Sequence, residues 1–74
     1  MTKKVFLTFP QRLIREPILY ELAQNFDVKT NIRGASVTDE IAVVALQLDG
    51  EDEVIEEAVE HLRSLGVTAE WLTD

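Results

Sequence analysis

Between Lys3 and Phe9 apolar and polar positions alternate, with Val5, Leu7 and Phe9 on one side and Phe6 and Thr8 on the other. This period of two predicts a strand. The stretch Pro10 to Glu16 mixes Pro, Gln and Arg with Leu13 and Ile14, and reads as a loop tucking two apolar side chains over the edge of the core. Pro17 then opens a helix over residues 17–25, because proline is favoured in the first turn and Ile18, Leu19, Leu22, Ala23 and Phe26 recur at helical spacing. Val28, Thr30 and Ile32 alternate with Lys29, Asn31 and Arg33 in a second strand, and Gly34 marks a bulge or bend in it. Thr38-Asp39-Glu40 supplies turn chemistry before Ile41 to Leu48, a nearly unbroken apolar run rich in β-branched residues that suits a central strand in a hairpin with the second. After Asp49-Gly50, a second helix sets Val54, Ile55, Ala58, Val59, Leu62 and Leu65 on one face against Glu53, Glu56, Glu57, Glu60 and Arg63 on the other. Gly66 stops it, and Val67 to Leu72 alternates again as a short final strand.

The order βαββαβ has one dominant solution, an α+β ferredoxin-like sandwich. In it a four-stranded antiparallel sheet of order 4-1-3-2 carries both helices on one face. Val5, Leu7, Phe9, Ala42, Val44, Leu46, Leu48, Val67, Ala69 and Trp71 then face the helices, leaving Phe6, Ile41, Val43, Ala45 and Leu72 on the uncovered side. An open sheet face normally carries polar residues, so this apolar one predicts an interaction surface and a homodimer built on Phe6, Ile41, Val43 and Ala45, with an edge strand as the alternative seam. Length sharpens that expectation. The 74 residues make one domain spanning 1–74, and with no Cys its small core must suffice alone or with a partner subunit. The net charge of −7 disfavours nucleic acid and anionic lipid, and the short apolar run at the start of the chain is far below the ~20 residues of a membrane span. A cytoplasmic protein without membrane insertion is expected. Basic groups are nonetheless concentrated in residues 1–33, which hold six of the seven.

Particular residues carry a resemblance. An apolar first strand ending in Phe9, Pro17 before an apolar helix start, Val28-Lys29-Thr30-Asn31-Ile32-Arg33-Gly34, Leu46-Gln47-Leu48-Asp49-Gly50, and Leu65-Gly66-Val67 with Trp71 together resemble a NIL domain. This is the ACT-like ferredoxin-fold module at the carboxyl end of methionine ABC importer ATPase subunits, also fused to some bacterial ferredoxins. Arg33 stands where the family pattern has leucine, and Ala42 where a glycine is expected. The resemblance implies a dimeric, free-standing module that binds a small amino acid, methionine in the transporter case, near the interface between two domains and so regulates a partner protein.

The expected ligand-binding set is Asn31, Ile32, Arg33 and Gly34 with Arg12 and Arg15. Asn31 both donates and accepts hydrogen bonds, and Arg33 can pair bidentately with a carboxylate or guard an edge strand. Arg12 and Arg15 flank the start of the first helix, whose free N–H groups favour an anion. The acidic cluster Asp49, Glu51, Asp52, Glu53, Glu56 and Glu57 lacks the spacing of a calcium loop and reads as a solvated helix face, or one that docks on a basic partner. His61, the one histidine, has no nearby Ser, Cys or second ligand in sequence to support catalysis or zinc. No enzyme, metal or cofactor is expected. A ligand-free interaction module using the open face and the acidic helix is the competing expectation.

Overall fold

The computed structural model describes residues 1–72. Its elements follow as β1 (Thr2–Pro10), a 3-10 turn (Gln11–Leu13), α1 (Ile18–Asn25), β2 (Lys29–Val37), β3 (Ile41–Asp49), α2 (Asp52–Leu65) and β4 (Thr68–Leu72). The sheet runs β2-β3-β1-β4, antiparallel throughout, which is the expected order. β1 and β3 are central because they are the two runs apolar enough to be paired on both edges and buried on one face. β1 lies along all of β3, from Thr2 opposite Asp49 to Pro10 opposite Ile41.

The core lies between sheet and helices. Val5, Leu7, Leu46 and Leu48 from the sheet meet Leu22, Ile55, Ala58, Val59 and Leu62 from the helices, all essentially inaccessible to water. Burial at roughly 1.5–3 kcal/mol for each large apolar side chain is what holds so short a chain together. Leu13, Ile14, Leu19, Phe26 and Val54 pack around the margin. The loop residues Leu13 and Ile14 thus cover the core edge as their sequence position predicts. Pro17 takes the cap position just before α1 instead of its first turn, while Ala23 faces solvent and Phe26 lies just past the helix end, its ring centre 5.4 Å from that of His61 of α2 and tilted by 51° to it.

Glycine and arginine shape the connections. Gly66 ends α2 in the left-handed region at φ 107°, its N–H donating to the Arg63 carbonyl at 3.0 Å and that of Val67 to the Leu62 carbonyl at 3.1 Å. This is the paired cap that satisfies orphan carbonyls at a helix end. A Cβ on Gly50 would come within 3.0 Å of the Asp27 carbonyl oxygen, so the turn from β3 into α2 needs glycine for a close backbone approach. Arg63 joins α2 to β4, donating to Glu60 at 2.6 Å and to the Ala69 carbonyl at 2.8 Å.

β2 runs further than its alternation predicts. Between Ile32, opposite Leu46, and Gly34, opposite Ala45, the register slips, so Arg33 is the extra residue of a β-bulge and Ala35, Ser36 and Val37 continue the strand. The bulge expected at Gly34 is therefore present, one position earlier. α1, eight residues long, leaves the helix side of this strand open, with Ile32 55% and Val37 63% exposed. Trp71 faces the helix side opposite Val5, yet at the rim, where Lys3 lies 5.3 Å from its ring and 3.8 Å from Glu56.

Candidate functional site

The expected ligand-binding residues fall in separate places. On the open face, register aligns Asn31 with Gln47, Lys4 and Leu72, and the next row holds Gly34, Ala45, Phe6 and Glu70. Phe6, Gly34, Ala35, Ser36, Val43 and Ala45 line a shallow hollow of about 310 Å³. A Cβ on Gly34 would meet nothing within 4 Å, so no contact inside the chain requires the small residue. Its effect is to keep the centre of the open face clear. Ile41 extends the same face and is exposed. Ile32 points to the helix side, opposite Leu46, and Arg33 occupies the bulge on the outer edge.

Arg12 is drawn elsewhere. Its Nη2 donates to the Leu65 carbonyl at 3.0 Å, which places the guanidinium at the C-terminal end of α2 instead of the start of α1. A cation there complements the negative end of the helix dipole and one of its free carbonyls. The anion pair expected of Arg12 and Arg15 is thus divided between two helices.

Arg15 remains beside a cleft. Gln11, Ile14, Arg15, Val37, Thr38 and Asp39 line a hollow of about 470 Å³ between the loop after β1 and the turn after β2. Ile14 and Val37 also border a second, mostly apolar hollow of about 170 Å³ lined by Phe9, Leu13, Ile18, Leu19, Ala42 and Val44, with Glu16 its one charged residue. Thr38 makes the turn rigid, its N–H donating to the Ile41 carbonyl at 2.8 Å and its hydroxyl oxygen accepting from the Ile41 N–H at 3.1 Å. From Asn31 to Val37 the strand advances five register positions, or about 17 Å at 3.4 Å each. One small amino acid cannot touch both. Asp39 was read from sequence only as part of a turn and Gln11 only as part of a loop; the signal available was Leu13-Ile14, two large apolar residues inside a polar loop.

Two further hollows lie at the opposite end of the sheet. One, about 520 Å³, is bordered by Lys3, Glu56 and Trp71; the other, about 590 Å³, by Asp27, Asp49, Glu51 and Asp52. Among the described residues no group of three His, Cys, Asp or Glu side chains comes together as metal ligands, and no helix is long and apolar enough to cross a membrane.

Known proteins match this architecture. The C-terminal domain of an ABC transporter ATP-binding protein from Enterococcus faecalis superposes with a TM-score of 0.84 at 28% identity, over 97% of this chain and 84% of that one. A de novo designed protein, Foldit4, shares the fold alone, with a TM-score of 0.58 at 17% identity over 99% of this chain and 96% of the other. No curated protein matches the sequence. The NIL domain family profile matches residues 3–70. Because that match takes in both helices and nearly all of the sheet, the chain belongs to the NIL domain family, a regulatory, non-catalytic module of ABC transporter ATPases.

Proposed function

We propose that this NIL domain is a regulatory module that works as a homodimer on the cytoplasmic side of a membrane. In this reading two copies meet through the open faces of their sheets, bind an amino acid of the methionine type at the seam beside Asn31 and Gly34, and alter the behaviour of a partner protein. The observation that carries it is the open face itself: Phe6, Val43 and Ala45 surround a hollow kept clear by Gly34, with Asn31 and Gln47 one row away. An apolar rim with a few amide groups is the usual make-up of a small-ligand seam, in which the amides orient the polar end of the ligand. The likeness to a domain of an ABC transporter ATP-binding protein supports a transporter ATPase as the partner.

A thermal-shift panel of amino acids including L- and D-methionine, with mass measured by light scattering, tests this. A ligand at 100 times its dissociation constant adds about 2.7 kcal/mol per site, a rise on the order of ten degrees in a domain of this size. The expected result is a dimer stabilised by one of these amino acids, with the shift abolished in Asn31→Ala. A flat panel over an intact dimer would reject ligand sensing in favour of a pure interaction module, whose contacts would be the open face and the acidic side of α2.

A further inference from the structure

We infer that each chain carries a second amino-acid site of its own, in the cleft between the loop after β1 and the turn after β2, independent of any dimer seam. Three observations meet there. The mouth carries one cation, Arg15, from the first loop and one anion, Asp39, from the β2–β3 turn. Ile14 and Val37 also line an adjoining hollow that would serve as its floor, apolar except for Glu16 on its wall. The mouth alone, about 470 Å³, falls within the roughly 300–1,000 Å³ usual for small-ligand sites.

The charge pattern selects the ligand. A free α-amino acid presents a carboxylate and an ammonium on one carbon, and opposite charges on the two sides of the mouth match that pair. The guanidinium offers two parallel N–H donors to the carboxylate, and the Asp39 carboxylate accepts from the ammonium. The side chain then enters the floor between Leu19 and Ala42, so its class is apolar and of moderate size. Val37 is exposed on the wall of this cleft because α1 is too short to cover it, and a bound side chain would cover it. A metal does not suit the cleft, since among the described residues no group of three ligating side chains gathers there and its two carboxylates, Asp39 and Glu16, line different hollows.

This inference shares only its ligand class with the proposed function and stands even if the seam binds nothing. Calorimetric titration of the full chain with L-leucine, L-norleucine and L-methionine, and with N-acetyl and methyl-ester forms of norleucine, tests it. One site per chain is expected whose affinity falls about tenfold or more in Arg15→Ala and in Asp39→Asn, the loss usual for a charged hydrogen bond. It should be unchanged in Asn31→Ala. Blocking the amine should weaken binding to the wild type but make no further difference in Asp39→Asn, and esterification should do the same with Arg15→Ala. Arg15 and Asp39 are both exposed, and circular dichroism would confirm that these variants fold. Binding lost in Asn31→Ala but intact in both cleft variants would overturn the cleft and leave the seam. No binding of any of the three amino acids at millimolar concentration would overturn both.

Discussion

Gly66 and Arg12 make the end of α2 a joint between distant parts of the chain. Gly66 alone among the described residues has a positive φ, 107°, and a Cβ there would also run into the Arg12 guanidinium. The side chain can swing away, so the backbone sets the cost. Gly66→Ala should destabilise the domain by about 1–2 kcal/mol, the penalty of an L-residue in the left-handed region, seen as a lower urea midpoint at unchanged slope. The glycine was legible in the sequence, since it follows the last apolar position of the helix. Arg12 was not. Its neighbours in sequence pointed to the start of α1, and only the arrival of Leu65, 53 positions later, turns it into a cap.

The same division runs through the secondary elements. β1, β3, α2 and β4 were read almost to the residue because their apolar positions repeat cleanly, at two in strands and 3.6 in the helix. β2 was read only to Gly34, because the inserted Arg33 shifts the alternation by one and makes Ala35, Ser36 and Val37 look out of phase. Removing Arg33 tests this account. Ile32 and Gly34 already face consecutive residues of β3, Leu46 and Ala45, so deletion should join the two halves without moving either register. The fold should persist by amide exchange while the nine-residue edge strand, shortened to eight and flattened, loses a charge and a twist, both of which resist edge pairing. Self-association rising on sedimentation is the expected outcome, and an unfolded deletion variant would mean the bulge is needed for the hairpin itself. The cleft was the least legible feature, since its walls come from a loop and a turn that no periodicity connects.

For the molecule as a whole, size and face matter together. A chain this short buries only about 60% of the surface it would expose unfolded, so a second apolar contact outside the core carries weight. Phe6, half-buried at the centre of the open face, is the residue to change. Phe6→Asp should give half the wild-type mass by light scattering with unchanged circular dichroism, because a carboxylate cannot be desolvated against Val43 and Ala45 of a second copy. A persistent dimer would move the seam to an edge strand. The pairing of β1 with β4 has another consequence. With Lys4 opposite Leu72, both ends of the described chain emerge at one pole of the sheet, while Pro10 and Val37 bring the cleft to the other. Neighbouring termini are what let a domain be spliced into a host loop as readily as hung from its end. A segment joined at that pole would leave the Arg15–Asp39 mouth turned outward, away from the junction.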